Sequence, residues 1–276
     1  MGKLLLSDLK RIFKDKIFII ACIVGICFAL LTPIILLVLT ILIEFLNFQE
    51  LSFLKESFYG RTIFFGSFNP GNNFGLILPI LICIIVLKDF SYGTIRNKVI
   101  TGYSRTQIFL SYFFAIFITL FALILTYALI SLGLSLIFTP YQYEAFTYKD
   151  IIYFIVSLGF LLIAYLLIAA MLTFICVLIK NVALTIVVYI VASLAFSMLS
   201  SGLQVAIPVA SGFGKEVIAN ILTFINNCNV YSSISTVIGV VNPYQFTDIL
   251  YLIIPPLFGL ALFITLGLVF MNKKDL

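Results

Sequence analysis

Residues 88–107 read KDFSYGTIRNKVITGYSRTQ. The stretch is polar and rich in turn residues, and it holds four cations, Lys88, Arg96, Lys98 and Arg105. Apolar runs long enough to cross a bilayer lie on either side of it. Each cation would cost roughly 2.5–3.5 kcal/mol at the centre of a membrane helix. Four of them together therefore pin this connection in water, and its flanks become membrane spans.

The whole chain supports that division. It is 63% apolar and 10% charged, where soluble domains run near 45–50% and 25%. Crossing a hydrocarbon core of about 30 Å takes roughly 20 apolar residues as a helix. The expected class is an all-α polytopic membrane protein forming one transmembrane domain over residues 1–276, with no polar segment long enough to build a soluble core. Six spans are expected, at about 17–43, 74–90, 107–138, 151–179, 182–205 and 249–271. Pro33, Pro79 and Pro255-Pro256 fall inside or near the start of spans, a position membrane helices tolerate. A cleaved signal peptide is not expected, because the first apolar run is too long for one and no A-x-A-like site follows it.

Cation placement gives the orientation. With even span parity, one side receives Lys3, Lys10, Arg11, Lys14, Lys16, the four cations of the opening stretch, Lys180, Lys273 and Lys274, which is 12 of the 16. The other side receives Lys55, Arg61, Lys149 and Lys215, and it holds seven of the 11 acids. Both termini and residues 88–107 are expected on the cytoplasmic side of a cell membrane. Residues 2–16 read as an amphipathic interfacial helix. Leu5, Leu6, Leu9, Ile12 and Phe13 form its apolar face, while Lys3, Lys10, Arg11 and Lys14 face anionic lipid. Two external segments stand out, 44–73 and 206–248. The first is dense in phenylalanine (Phe45, Phe48, Phe53, Phe58, Phe64, Phe65, Phe68), as expected of side chains seated at the membrane interface. The second contains KEVIANILTFINN, whose polar stripe Glu216, Asn220, Thr223, Asn227 and apolar Val217, Ile221, Ile225 predict a short amphipathic or re-entrant helix before the last span.

Several chemistries are excluded or disfavoured. The chain has no histidine, so neither a histidine base nor a histidine-ligated metal exists. Five cysteines, an odd number, argue against a disulfide framework. No Asp, Glu, Lys or Arg sits in the middle of a span, which weighs against proton relays and ion-coupled carriers. SGFGKE at 211–216 imitates a phosphate loop only superficially: Val209 stands where the first glycine belongs, and Glu216 follows Lys215 where Ser or Thr is required. No catalytic, metal-binding or cofactor-binding residues are expected on this chain, and no nucleic-acid partner. Tyr189, Ser193, Ser197 and Ser201 recur every four residues on the fifth span; this stripe marks close helix packing, a substrate pathway or a subunit seam.

The basic loop has internal order that lipid binding does not require. Tyr92-Gly93 carries turn chemistry, Thr94 is a candidate helix N-cap, Ile95, Val99 and Ile100 form an apolar face, and Gly102 ends the turn of helix. Arg96 and Lys98 point elsewhere, and Ser104 or Thr106 starts the next span. Such a short helix, exposing apolar and basic groups to the cytosol, suits docking of a protein.

The run DFSYGTIRNKVITGYSRTQIFLSYF resembles the first cytoplasmic loop of ABC-2 type ABC-transporter permeases, bacterial exporters of bacitracin, lantibiotics and other antimicrobial peptides. The core G-T-I-[RK]-N-K followed by S-R-x-x-[IV]-[FY] carries the likeness, and the arrangement of the chain follows it more loosely. The resemblance implies a coupling loop at 91–105 seated in a separate cytosolic ATPase. Gly93, Thr94, Ile95, Arg96, Asn97 and Lys98 would form the coupling element, Ser104 and Arg105 its exit, and Lys180-Asn181 a second contact. It also implies two ATPase copies binding ATP and Mg, a second permease as homodimer or heterodimer, and export of a hydrophobic or amphipathic peptide, antibiotic or lipid-like compound. A contrasting expectation is a non-transporting sensor or immunity protein that binds a peptide at its external segments.

Overall fold

The computed structural model describes residues 1–45, 59–69, 73–142, 147–179, 181–239, 244 and 246–273. Among these the chain is helical throughout: α1 (Gly2–Lys14), α2 (Lys16–Phe45), α3 (Gly60–Gly66), α4 (Asn73–Ser91), α5 (Thr94–Ile100), α6 (Arg105–Phe138), α7 (Tyr148–Ile179), α8 (Val182–Gly212), α9 (Glu216–Cys228), α10 (Val230–Gly239) and α11 (Phe246–Lys273). Five of them are long and apolar enough to cross a membrane: α2, α6, α7, α8 and α11. The protein is therefore membrane-embedded. The expected second span, 74–90, coincides with α4, a 19-residue helix with Pro79 inside it.

Local chemistry sets the helix starts. The Ser104 hydroxyl accepts from the Gln107 amide at 3.2 Å, and the Gln107 side chain returns to the Ser104 amide. This capping box answers two orphan donors of α6. Asn181 caps α8 by accepting from the Leu184 amide at 3.3 Å. The Asp150 carboxylate accepts from both the amide and the hydroxyl of Thr147 at the start of α7.

α7 is the centre of the bundle. Of its apolar window 67% is buried, against 17% for α8 and 24% for α2. It packs on α6, α8, α10 and α11, and Tyr165, Ile168, Ala169, Ala170 and Leu172 along it are sealed from solvent. α2, α8 and α11 leave wide apolar faces open, as lipid-facing or partner-facing helices do.

Two short elements fold back into this bundle. The amides of Gly60 and Arg61 donate to Pro140 and Tyr141 beyond the end of α6, which anchors the start of α3 there. Eight residues later the Phe68 carbonyl accepts from Tyr165 at 2.7 Å, near the middle of α7. Phe64, Phe65 and Phe68 are fully buried, packed edge-on and tilted against one another and Phe154. The interfacial expectation for the phenylalanine-rich segment thus fails at these three, because α3 inserts them into the protein. Phe45 is exposed; Phe48, Phe53 and Phe58 lie outside the described residues.

The second inserted element follows α8, which runs to Gly212, seven residues past the expected end of its span. α9 then turns back along α8, and at its end the Asn229 amide group donates to the Phe196 carbonyl at 2.6 Å, midway along α8. α10 climbs away again: Tyr231 stacks on Phe196, and Tyr153, near the start of α7, donates to the Val237 carbonyl at 3.2 Å. The short helix expected here forms as α9, and with α10 it makes a helical hairpin packed back on α8 and α7. Its Val217, Ile218, Ile221 and Phe224 remain exposed.

Candidate functional site

The opening stretch folds as expected in outline, with differences that matter. Gly93, not Thr94, is the N-cap of α5, in the left-handed region at φ 67°. A side chain there is strained by the backbone alone, since no heavy atom lies within 4 Å of where its Cβ would stand. Thr94 becomes the first helical residue. At the other end Gly102, at φ 93°, lets the Gly102 and Tyr103 amides reach the carbonyls of Val99 and Lys98. Seven residues of helix are thereby held between two glycine-shaped corners.

The face of α5 that looks inward is seated on a buried polar cluster. Ile95 is buried, and Lys98, expected to project into water, instead turns inward with only 12% of its side chain exposed. Its ammonium donates to Asp8 at 2.6 Å and to the Tyr112 hydroxyl at 3.0 Å, and it lies 3.5 Å from Asp89. The Tyr112 hydroxyl donates onward to Asp89 at 2.5 Å, and Ser111 donates to the second oxygen of Asp8 at 2.7 Å. Arg11 pairs with the other oxygen of Asp89, and its far nitrogen faces Asp8 at 3.9 Å. Two carboxylates and two cations thus neutralise each other, as burial requires. Burial would lower the Arg11 pKa, but the hydrogen bond and charge of Asp89 outweigh it and hold the guanidinium above its usual value.

This cluster ties together four elements: α1 (Asp8, Arg11), the end of α4 (Asp89), α5 (Lys98) and the first turns of α6 (Ser111, Tyr112). Beside it Lys88 donates to Asp15 at 2.7 Å. Burial raises the Asp15 pKa, but the bonds from Lys88 and the Ile17 amide prevail and hold it below the ordinary carboxylate range. α1 is accordingly not divided as its sequence suggests. Leu4, Asp8 and Ile12 are its buried stripe, Leu6 and Phe13 are exposed, and Arg11 belongs to the protein rather than to lipid.

What α5 shows to water is a compact patch. Tyr92 and Ile100 are 78% and 73% exposed, and Arg96 and Asn97 lie between them on the open side. Val99 is half-buried. Ser104 and Arg105 at the exit act within the chain: Ser104 through the capping box, Arg105 by donating to the Asn272 carbonyl at 2.8 Å at the end of α11. Asn181 is exposed and capping; Lys180 lies outside the described residues. The stripe on α8 divides in two. Tyr189 and Ser193 are buried beside the hydroxyl of Tyr231 from α10, so there the seam is internal. Ser197 is half-buried and Ser201 exposed.

Asp8, Asp89 and Tyr112 are members of this buried cluster that the sequence reading passed over. A signal existed. The basic side carries only four acids, and one of them, Asp8, sits at the i+4 step between Leu4 and Ile12, inside an apolar stripe. Comparison with protein-family models and with curated proteins finds no match to this chain.

Proposed function

We propose that this chain is the membrane permease subunit of an ATP-driven exporter, with hydrolysis carried out on a separate cytosolic ATPase. The observation that carries this reading is the build of α5: an exposed Tyr92–Arg96–Asn97–Ile100 patch mounted on a buried ionic cluster shared with α1, α4 and α6. A patch so mounted transmits a push to three other helices instead of flexing alone. Counting α4, whose 19 residues reach about 28 Å, the chain crosses the membrane six times with both ends on the ATPase side. The apolar spans suit a hydrophobic or amphipathic cargo, such as a peptide, an antibiotic or a lipid-like compound, moved between two permeases.

The test is co-purification of a cytosolic ATPase with the chain from its native host, comparing wild type with the double variant Arg96→Glu, Ile100→Ala. The expected result is loss of the complex and of stimulated hydrolysis with unchanged thermal stability. Lys98 is left intact in this test, because removing it breaks the cluster beneath the patch. If peptide resistance persists without nucleotide and survives the double variant, the chain acts instead as a peptide-sequestering sensor.

A further inference from the structure

A cavity of about 380 Å³ opens on the side of the bundle between the α1–α2 corner and the middle of α6. Phe13, Phe18, Cys22 and Ile26 line one wall, and Leu123 and Tyr127 stand on the other. The lining is almost wholly apolar; the hydroxyl of Thr126 at its edge is already bonded to the carbonyls of Ala122 and Leu123.

Its shape limits the occupant. From Phe18 to Ile26 the α2 wall rises about 12 Å. A volume of about 380 Å³ spread along that length makes a narrow apolar slot with room for an extended hydrocarbon chain. The α1–α2 corner beside the groove supplies the second argument. Between the lining residues Phe13 and Phe18 the chain reads Lys14-Asp15-Lys16-Ile17. Asp15 is engaged by Lys88 at 2.7 Å. Lys14 and Lys16 are exposed and have no ion-pair partner among the described residues. The one acid of this corner is therefore answered by a different cation, and two exposed positive charges belong to the α1–α2 corner that borders the slot.

We propose that this groove is a binding site for an anionic phospholipid, one acyl chain lying between α2 and α6 and the headgroup resting on Lys14 and Lys16. A headgroup bound there would brace the α1–α2 corner, to which Asp15 and Lys88 also belong. The proposal requires a membrane-embedded chain and does not depend on the transport reading.

The protein has no tryptophan, so one introduced tryptophan reports on its site alone. Ile26→Trp places it in the groove, and Val191→Trp, on the exposed face of α8, serves as the lipid-facing control. Each is reconstituted in bilayers of defined composition, and quenching by phospholipids brominated in the acyl chain is compared for phosphatidylglycerol and phosphatidylcholine. Near-surface lysines favour anionic lipid by roughly 5-fold each. The groove reporter is expected to prefer the anionic lipid by an order of magnitude or more, and the control to show no preference. Lys14→Gln with Lys16→Gln should bring the groove ratio close to one while quenching persists. Ala122→Phe, which fills the slot, should remove both preference and groove quenching. Equal ratios at the two reporters, or a groove ratio indifferent to both lysines, would overturn the proposal. A groove tryptophan that no lipid quenches would mean that protein, such as a second copy of the chain, covers the slot.

Discussion

Replacing Lys98 with methionine tests the reading of the buried cluster most directly. Methionine keeps the length of the side chain and removes its charge, so Asp8 and Asp89 are left facing Arg11 alone. Both carboxylates are nearly sealed, at 2% and 3% exposure. Breaking a buried ion pair from one side costs about 3–5 kcal/mol. Here the low end applies, because Asp8 keeps Ser111 and Asp89 keeps Tyr112 and Arg11. A loss of about 3 kcal/mol in a chain of this size corresponds to a fall in Tm on the order of 6–10 °C. Thermal unfolding in detergent, followed by a thiol-reactive dye, reads this out, since Cys83 and Cys176 are buried and in contact at 3.6 Å. The companion variant is Asp8→Asn in the Lys98→Met background, which restores neutrality around Asp89 and Arg11. It should recover more than half of the loss, a coupling that only a direct interaction produces. A Lys98→Met shift below 2 °C, or a double variant less stable than either single one, would refute the account of the cluster as a balanced ionic joint.

Three further outcomes follow from the packing. Gly267→Ala in α11 should destabilise by about 1–3 kcal/mol, because the new Cβ would overlap the ring of the fully buried Phe109; thermal unfolding checks it. Tyr165→Phe removes the donor to the Phe68 carbonyl and leaves that acceptor unanswered inside the bundle, at a cost of about 1–3 kcal/mol; protease access to residues 59–69 should rise with it. The Asp15–Lys88 pair has a sign in pH. Because the folded carboxyl is held below its ordinary value near 3.9, the pair stabilises at pH above that value and is lost as pH falls through the lower folded value. Wild-type stability should therefore be lower in acid than at pH 7 through this pair, and Asp15→Asn should remove that part of the pH dependence without altering the rest.

The amino-acid sequence by itself determined the class of the protein, the positions of the apolar helices and the separation of a short basic helix from its neighbours. Those features follow from transfer free energy and backbone chemistry, which act residue by residue: charge stays out of hydrocarbon, glycine takes positive φ, and Ser104 with Gln107 closes a cap. Tertiary structure alone decided the direction of each side chain on that helix. Arg96 and Lys98 are two residues apart and chemically alike, yet one faces water and the other is buried against Asp8, which lies 90 positions away in the chain. The same holds for phenylalanine. An aromatic residue gains nearly as much at a membrane interface as in a protein core, so composition could not separate Phe45, which is exposed, from Phe64, Phe65 and Phe68, which are buried. The hydrogen bonds anchoring Gly60 and Arg61 beyond α6, and Phe68 to Tyr165, settled it, and such pairings are written in no local pattern.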